Sequence, residues 1–425
     1  MKTNPRHRLK LITGMVLSIV FGVLFDANPG IAPALAGNAG LPATAAPHDP
    51  GELINLRLGY MKDVAAYKWI HGIPIEDLQR EAQVIAAARN SGLRYGLTVS
   101  SSEAFFGQQI LAAKEIQRYW FQIWQETSGP TQAPGLSTVI RPRLIELGNQ
   151  ITAALAQTDM TRANLHIQAE GLSDASADEL AASAASIKRY ATQLDQVVDS
   201  KTLRVGTTYD YAPFSFRNNG ASLGIDVSLA KNLAASLGAE LVLVETSWPT
   251  LMADLAAGHF DIGMSGISIN LERQKVALFS TPHHRGGKTP ISRCEDVAKF
   301  DQLEKIDQPE TRIIVNPGGT NQRFVDANIE SANVTIHADN RTIFKEIEQN
   351  NADVMITDAI EVALQTNLLP GLCATMPGAT LTHQEKGFLL PRDLIWKQYV
   401  DTWLAQRTAE GEVAKLFKQF LAPSS

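Results

Sequence analysis

Residues 203–266 contain LRVGTT (203–208), AELVLVET (239–246) and DIGMSG (261–266), three short apolar runs that decide the fold of the C-terminal half. Helical stretches at Val227 to Leu237 and Trp248 to Gly258 separate them. The alternation continues in TRIIVNPGGT (311–320), NVTIHA (333–338) and DVMITD (353–358). Strands that alternate with helices predict parallel sheets with crossover connections. Such sheets bind ligands beyond the carboxyl ends of their strands, where the polar ends of these runs fall.

The half before this stretch has a different pattern. From Leu53 to about Val198, apolar residues recur at intervals of three and four, which is typical of amphipathic helices. The breaks in the pattern predict helices at about 52–70, 75–90, 101–126, 139–157 and 175–197. The chain therefore reads as a multidomain protein, an all-α bundle followed by an α/β domain, with the boundary near residues 199–202.

The N-terminus has the three parts of a secretory signal peptide. Residues 1–10 contain four basic residues and no acid, residues 11–25 are almost entirely apolar, and Ala34-Leu35-Ala36 fits a cleavage site. A membrane anchor is the alternative, but a span needs about 20 apolar residues and this run is shorter. We expect residues 1–36 to be removed on export to the periplasm, which leaves a protein without a membrane segment.

Charge and cysteine content limit the partners. The net charge is −6 with acids and bases interspersed, which argues against a nucleic-acid partner. Cys294 and Cys373 are the two cysteines, and export makes a disulfide between them the first interpretation. The alternative is two buried free thiols. Neither cysteine has the C-x-x-C spacing of a metal or redox site.

The helical half has polar residues at helical spacing. Arg57 and Lys68 are eleven residues apart, and eleven residues are three turns of one helix, so both lie on one face. After the break at Pro74 come Asp77, Arg80 and Glu81, and Gln117 follows on a later helix. A bundle that aims these side chains inward would bind a small dianion, because arginine grips carboxylates with two hydrogen bonds. The alternative is that Arg57 and Lys68 are solvated and that Asp77 and Arg80 form a surface pair.

The order and spacing of these residues resemble the secreted, all-helical class of chorismate mutases. The resemblance covers about residues 50–125 and rests on LINLRLGYMKDVAAYKW (53–69), PIEDLQREAQV (74–84) and EAFFGQQILAAKEIQRYW (103–120). It implies rearrangement of chorismate to prephenate, which needs no nucleophile, metal or cofactor. The implied roles are carboxylate binding by Arg57 and Arg80, contact with a carboxylate and the ether oxygen by Lys68, contact with the ring hydroxyl by Asp77 and Glu81, and hydrogen bonding to the ether oxygen by Gln117.

The sequence departs from that family at one place. A further arginine can complete the pocket of secreted relatives, and Gln150 stands near its expected position. Arg141 or Arg143 are the candidates to replace it, and the sequence does not decide between them.

The α/β half resembles the periplasmic amino-acid-binding proteins. The resemblance implies a first lobe at about 201–290 and 386–425 and a second lobe at about 291–385, which close on a ligand. Both cysteines then lie in the second lobe, which favours the disulfide. The implied site consists of aromatic walls from Tyr209 and Trp248, donors from Ser265 and Ser268, a carboxylate clamp from Arg273, and anion binding at the helix start by Thr320.

A narrower resemblance is to the cyclohexadienyl dehydratases, the enzyme relatives of those binding proteins. It rests on TSWPTLM (246–252), SGISINLERQ (265–274), GGKTPI (286–291), IVNPGGTN (314–321), TIF (342–344) and TDAIE (357–361). It implies loss of water and CO2 from prephenate or arogenate, with Glu361 as the general acid. Lys288 and Asn316 are expected to position substrate and leaving group, and Asp358 to shape the same wall.

The sequence thus predicts a mutase domain at 50–198 that makes prephenate and a dehydratase domain at 201–425 that consumes it, with small-molecule substrates and no cofactor. The alternative is a mutase fused to a non-catalytic solute-binding domain, with Glu361 and Lys288 as ordinary surface charges. The preference for prephenate or arogenate stays open. So does assembly into a homo-oligomer, since helical mutases often dimerise and binding-protein folds trimerise or stay single.

Overall fold

The structure is a computed structural model that describes residues 49–422. The predicted signal peptide at 1–36 lies outside the described residues. Within the described range, no helix combines the length and the apolar character that crossing a bilayer requires.

The N-terminal half is a bundle of α-helices around one apolar core. Large side chains from several helices fill that core, among them Ile54, Phe105 and Ile151, each fully buried. A short π-helix, Leu136–Ile140, leads into the fifth helix. The helices are α1 (Pro50–Gly59), α2 (Met61–Ile70), α3 (Leu78–Arg94), α4 (Val99–Glu126), α5 (Arg141–Gln157), α6 (Asp174–Ala185) and α7 (Gln193–Ser200).

Three predicted helices differ from those observed. The stretch 52–70 is two helices, α1 and α2, divided at Tyr60. Helix α3 begins at Leu78 because the Asp77 carboxylate accepts a hydrogen bond from the backbone N–H of Arg80 at 3.0 Å and so caps the helix. The single helix predicted at 175–197 is wrong: α6 ends at Ala185, and α7 starts after Thr192, whose hydroxyl caps it.

The C-terminal half contains two five-stranded sheets with the same pattern of neighbours, three parallel strands followed by two antiparallel pairings. The first has the order β5-β1-β6-β15-β7 and the second β11-β10-β12-β9-β13. A three-stranded sheet, β2-β3-β4, and a two-stranded sheet, β14-β8, complete the half. The strands are β1 (Thr202–Thr207), β2 (Asp210–Tyr211), β3 (Ser215–Asn218), β4 (Ala221–Leu223), β5 (Glu240–Glu245), β6 (Ile262–Gly263), β7 (Leu278–Phe279), β8 (His284–Gly286), β9 (Lys288–Arg293), β10 (Arg312–Val315), β11 (Asn333–Ile336), β12 (Val354–Asp358), β13 (Leu372–Ala374), β14 (Gln384–Lys386) and β15 (Leu389–Leu390).

Helices pack on both sheets and bury their apolar faces against them. They are α8 (Ile225–Ser236), α9 (Leu251–Ala256), α10 (Leu271–Gln274), α11 (Leu303–Ile306), α12 (Thr320–Asn328), α13 (Ile343–Glu348), α14 (Ala359–Leu368), α15 (Leu394–Ala409) and α16 (Glu412–Leu421).

Each five-stranded sheet is the centre of one lobe, and two strands connect the lobes. The chain leaves the first lobe through β8 and returns through β14, and these strands pair antiparallel with each other. The second sheet begins at Lys288, which pairs with Asp358 across β9 and β12. The observed change of lobe therefore precedes the expected boundary at 290, because β9 already has its full set of partners in the second sheet.

The helical half is attached to the first lobe near the amino ends of β1 and β6. Arg89 donates to the carbonyl of Ser200 at 2.6 Å, and Arg204 donates to the carbonyl of Leu93 at 3.3 Å. Arg94 contacts Nε2 of His259 at 2.8 Å. Ligand-facing loops follow the carboxyl ends of the strands, so this attachment lies at the opposite end of the sheet from the cleft.

Gly258 is the tightest point of the attachment, which gives a first prediction. A Cβ on this residue would lie 2.0 Å from the Arg94 carbonyl oxygen, and its φ is +66°. We expect Gly258→Ala to lower the free energy of unfolding by more than the roughly 1–2 kcal/mol cost of left-handed backbone, because the interface must also shift. Thermal unfolding of Gly258→Ala and of Gly238→Ala measures the difference, since Gly238 has a similar φ of +59° and open space around it. Equal melting temperatures for the two variants would contradict the prediction.

Candidate functional site

Helices α1 to α5 enclose a cavity of about 270 Å³ in the helical half. Its walls combine apolar side chains such as Val64 and Phe106 with a concentration of charged and amide groups. All six residues that the sequence predicted for this site line it: Arg57, Lys68, Asp77, Arg80, Glu81 and Gln117.

Arg57 is held in place and keeps an unused donor. The residue is 7% exposed, and its Nη1 donates to Oε1 of Gln109 at 2.6 Å. Its Nε has no hydrogen-bond partner among the described residues. Burial lowers the pKa of Arg57 to about 10, so the group stays charged at neutral pH. A buried, oriented cation with a free donor is suited to a carboxylate ligand.

Lys68 and Gln117 are buried beside the same cavity. Lys68 Nζ donates to the carbonyl of Ile75 at 2.6 Å, and burial lowers its pKa while the charges of Asp77 and Glu81 act in the opposite direction. The Gln117 amide nitrogen donates to the carbonyl of Ala113 at 2.9 Å. Its Oε1 has no partner within residues 49–422. Both side chains therefore have fixed positions from which to reach a bound molecule.

Of the two arginines that the sequence left as alternatives, Arg141 lines the cavity and Arg143 does not. Arg141, the first residue of α5, lines the cavity and lowers the pKa of Lys68 by its charge. Arg143 is 59% exposed and pairs with Glu146 at 2.6 Å. Gln150 donates to the same glutamate and is not in the cavity wall.

Lys114 is a further lining cation that the sequence analysis missed. Its ammonium lies 3.1 Å from a carboxylate oxygen of Glu81, and the side chain is 12% exposed. The signal was present, since Lys114 stands three residues before Gln117 on α4 and so shares its face.

The second site is the cleft between the two lobes. It has a volume of about 20 Å³, which holds roughly one water molecule, so the lobes are closed in this structure. Six of the ten residues predicted for this site line it: Trp248, Ser268, Arg273, Asn316, Thr320 and Asp358. The other four lie elsewhere: Tyr209, Ser265, Lys288 and Glu361.

Tyr209 is not the aromatic wall of the cleft, which corrects the prediction. Its φ is +57°, a left-handed conformation, and its ring lies under the Arg217 guanidinium at 4.0 Å. Tyr211 lines the cleft instead, with its ring 5.7 Å from that of Trp248 in an edge-to-face arrangement. Because the backbone turns at Tyr209, between β1 and β2, the aromatic side chain in the cleft wall is that of Tyr211, two residues later.

Ser265 supports the cleft from beneath and does not line it. Its hydroxyl is fully buried, 2.8 Å from that of Thr208 and 2.6 Å from that of Ser215. All of its hydrogen bonding is with protein groups, so the predicted role as a ligand donor falls to Ser268 alone.

Arg273 lines the cleft and keeps an unused donor. Its Nη1 donates to the carbonyl of Ser268 at 2.9 Å, and its Nε has no partner in the described part of the chain. Burial lowers the pKa of Arg273 to about 10, with a smaller contribution from Arg323. On the facing lobe, α12 begins at Thr320, so backbone N–H groups at that end face the same cleft.

Asp358 is the centre of a charged network between the lobes. Its two carboxylate oxygens lie 2.8 Å from Lys288 Nζ and 2.5 Å from Lys386 Nζ, and the Tyr211 hydroxyl donates to it as well. Burial alone would raise the pKa of Asp358, but the two ammonium groups outweigh it and hold the pKa well below its usual range. Lys386 also donates to the Ser268 hydroxyl at 2.9 Å. Lys386 was not predicted as a site residue, although the chain was expected to return to the first lobe at this position.

Lys288 and Glu361 lie one layer behind the cleft wall. Lys288 is fully buried, and beyond Asp358 its ammonium donates to Thr320 at 3.0 Å and to Asn321. Glu361 is 2% exposed and accepts a hydrogen bond from the Thr357 hydroxyl at 2.5 Å. The Asn321 amide donates at 3.0 Å to Thr357 and at 2.9 Å to the lining residue Asn316.

Glu361 is a buried carboxylic acid that holds its proton. Burial raises its pKa to about 8, with the Asp358 charge adding to the effect and the Thr357 hydroxyl and the two lysines opposing it. At neutral pH this group is protonated in a site that excludes water. Such a group has the property that a general acid needs.

Cys294 and Cys373 form a disulfide in the second lobe, with a sequence separation of 79 and a Cα–Cα distance of 4.8 Å. Loop closure over that separation gives a second prediction. Replacing both cysteines by serine is expected to lower the free energy of unfolding by about 2–4 kcal/mol, because the unfolded chain regains conformational entropy.

Differential scanning calorimetry of the double variant, compared with the wild-type protein under oxidising conditions, measures that loss. The mutase rate at 25 °C serves as the control, since the disulfide lies outside the helical half. An unchanged melting temperature would contradict the stabilising role.

Two family patterns match the chain. "Bacterial extracellular solute-binding proteins, family 3" matches residues 203–423, and "Chorismate mutase type II" matches residues 51–118. The matches fall on the lobed half with its cleft and on the helical half with its cavity.

Individual proteins repeat this division. The chain is 54% identical over 221 residues to the cyclohexadienyl dehydratase of Pseudomonas aeruginosa. The aligned region covers 52% of this chain and 82% of that protein. It is 37% identical over 105 residues to the secreted chorismate mutase of Yersinia pestis, across 25% of this chain and 56% of that protein. The crystal structure of the ancestral amino acid-binding protein AncCDT-1, a precursor of cyclohexadienyl dehydratase, superposes with a TM-score of 0.51 at 32% identity, over 55% of this chain and all of that one.

Proposed function

The chain belongs to the bacterial extracellular solute-binding proteins, family 3, and it also has a chorismate mutase region. We propose that it is a bifunctional enzyme. The helical half is a chorismate mutase that converts chorismate to prephenate. The lobed half is a cyclohexadienyl dehydratase that converts prephenate to phenylpyruvate or arogenate to phenylalanine. The observation that supports the second activity most strongly is the protonated, buried Glu361 beside a cleft with a carboxylate clamp.

The cavity of the helical half suits a unimolecular rearrangement of a dicarboxylate. Arg57, Arg80 and Arg141 line it from three helices and would hold the two carboxylates so that the flexible enolpyruvyl ether is compact. Lys68 and Gln117 would donate to the ether oxygen, where negative charge develops as the C–O bond breaks. The new C–C bond forms in the same step, so no group of the protein has to exchange a proton.

The cleft of the lobed half suits a decarboxylating elimination. Arg273 and the N-terminus of α12 would hold the side-chain carboxylate of the substrate. The bond to the ring carboxylate then breaks to release CO2, and its electron pair enters the ring as the C–O bond to the hydroxyl breaks. The hydroxyl leaves as water with the Glu361 proton. In the closed structure Glu361 connects to the cleft through Thr357, Asn321 and Asn316, so substrate binding has to bring acid and hydroxyl together.

Two observations favour the enzyme over a non-catalytic solute-binding domain. Identity is 54% to a dehydratase and 32% to an ancestral binding protein of the same fold. A transport site also has no use for a proton held on a fully buried glutamate. Arg273 and Asp358 do not discriminate, since a binding protein uses the same residue types for an amino acid.

The direct test supplies purified protein with chorismate alone. We expect phenylpyruvate to appear, measured by its absorbance in alkali, after a lag during which prephenate accumulates. If prephenate accumulates and no phenylpyruvate forms, the proposed mutase activity stands and the proposed dehydratase activity is refuted.

The pH dependence of the second step gives a third prediction. Glu361 donates only when protonated, so kcat/KM for aromatisation of prephenate, which reports the pKa of the ligand-free enzyme, should be constant below about pH 8 and fall about tenfold per pH unit above it. The mutase rate should show no such inflection, because its reaction transfers no proton. Initial rates of both steps between pH 6 and pH 9.5, corrected for enzyme-free blanks, measure the two profiles. An aromatisation rate that rises through pH 8 would contradict Glu361 as the acid.

The protein is exported, as the extracellular family and the secreted mutase both indicate. We further propose the periplasm as the compartment, with cleavage after residue 36. The mass of the protein recovered from a periplasmic fraction tests the cleavage point. Because chorismate is made in the cytoplasm, this location requires a source of exported substrate.

A further inference from the structure

The charges around the lobed cleft are unequal. Arg273 and Lys386 line it, and the buried Lys288 lies behind the wall, where its ammonium contacts Thr320 and Asp358. Asp358 is the one carboxylate among the described residues of the cleft wall. Glu361 stays protonated at neutral pH because burial raises its pKa to about 8. Three cations against one carboxylate leave two positive charges for a ligand to neutralise.

The single carboxylate already has cationic partners. Lys288 occupies Oδ1 of Asp358 and Lys386 occupies Oδ2, where the Tyr211 hydroxyl also donates. Lys386 is fixed from the other side by the Ser268 hydroxyl at 2.9 Å. The protein's own ammonium group therefore fills the position at which a carboxylate could receive the ammonium group of a ligand.

We propose that Lys386 makes this cleft select the keto acid prephenate over the amino acid arogenate. The inference rests on the proposed dehydratase function and adds its substrate preference. The two substrates share the ring and its carboxylate and differ at one side-chain carbon. Prephenate has a ketone there and two negative charges in all, which matches the two unneutralised cations. Arogenate has an ammonium group there, so one positive charge would stay buried in a dry site.

A neutral acceptor in the cleft does not remove this difference. Asn340 lines the wall, and its Oδ1 has no partner within the part of the chain that the structure describes. It can accept a hydrogen bond from an ammonium group, but an amide does not offset the charge. Electrostatic balance therefore favours the keto acid.

The experiment compares kcat/KM for prephenate and arogenate in the full-length mature enzyme. We expect the ratio to favour prephenate at least tenfold. In Lys386→Met, Asp358 is free to pair with the arogenate ammonium, so the ratio should fall at least tenfold. Lys386→Arg keeps the cation and should keep the preference. Lys275→Met removes a lysine that is 66% exposed and should leave the ratio unchanged.

A second measurement does not depend on the variants being active. Phenylpyruvate and phenylalanine, the two products, differ by the same keto or amino group, and calorimetric titration of the wild-type protein gives their affinities. Tighter binding of phenylpyruvate supports the proposal, and equal or tighter binding of phenylalanine overturns it. Equal kcat/KM for both substrates would also overturn it and leave the dehydratase intact. Aromatisation of neither substrate would instead refute the proposed function itself.

Discussion

A Glu361→Gln variant is expected to convert chorismate to prephenate at the wild-type rate and to stop there. Glutamine keeps the shape of the side chain but has no acidic proton, and general acid catalysis contributes about 10²–10⁴-fold to a rate. The aromatisation rate at saturating prephenate should fall by that factor. Prephenate that accumulates quantitatively from chorismate, followed by chromatography, is the measured result.

The design excludes a merely structural explanation. Glu304→Gln makes the same chemical change at an exposed position of the second lobe and should not affect aromatisation. Binding of phenylpyruvate to Glu361→Gln, measured by calorimetry, reports whether the cleft still closes. If this variant binds product normally and still aromatises prephenate at the wild-type rate, another group is the acid.

Lys68→Met should have the opposite effect on the two activities. The methionine fills the same space in the helical cavity but gives no donor or charge to the ether oxygen. Loss of one such electrostatic group costs about 10²–10³ in kcat. We expect the mutase rate to fall by that factor while prephenate supplied from outside is aromatised normally. Disappearance of chorismate, followed by its absorbance, measures the first step alone.

Lys188→Met is the matched control, because Lys188 is exposed on the helical half and its side chain does not face the cavity. Circular dichroism shows whether the bundle stays folded after the loss of the Lys68 bond to Ile75. A folded Lys68→Met variant with unchanged mutase rate would show that the developing charge is stabilised elsewhere.

These opposite effects are expected because the helical half contacts the first lobe at the amino ends of its strands. Arg94 and Gly258 meet there, whereas the cleft lies at the carboxyl ends and at the second lobe. Closure of the second lobe about β8 and β14 does not have to move the attached bundle. The two sites therefore respond separately to substitution.

Much of the helical site could be predicted from sequence, because its residues stand in short motifs whose order and spacing resemble those of chorismate mutases. Helical periodicity alone was not sufficient, since Arg57 and Lys68 lie on two helices, α1 and α2, and not on one face of a single helix. All six predicted residues line one cavity. The choice of Arg141 over Arg143 could not be made in this way. It depends on which residue of the first turn of α5 faces the cavity, and that is fixed only when the helices pack together.

The lobed site was less predictable, because its side chains come from segments far apart in the chain. The motifs identified Arg273, Asp358 and Glu361, but the local pattern gives no sign that the Tyr209 backbone is left-handed. Asp358 of the second lobe pairs with Lys386 at the end of the connecting strand β14. Lys386 in turn bonds to Ser268, which is 118 residues away in sequence, so local pattern could not predict this contact.

The sequence by itself determined the order of the two halves, their fold classes and the residue types of each site, since these follow from periodicity and motif. Only the tertiary structure decided which side chains face the cleft, which stand behind it, and that two lysines of the protein pair with the Asp358 carboxylate in its wall. The physical reason is that burial and charge pairing depend on contacts made after the lobes close. Those contacts raise the pKa of Glu361 to about 8 and hold Asp358 ionised one turn away.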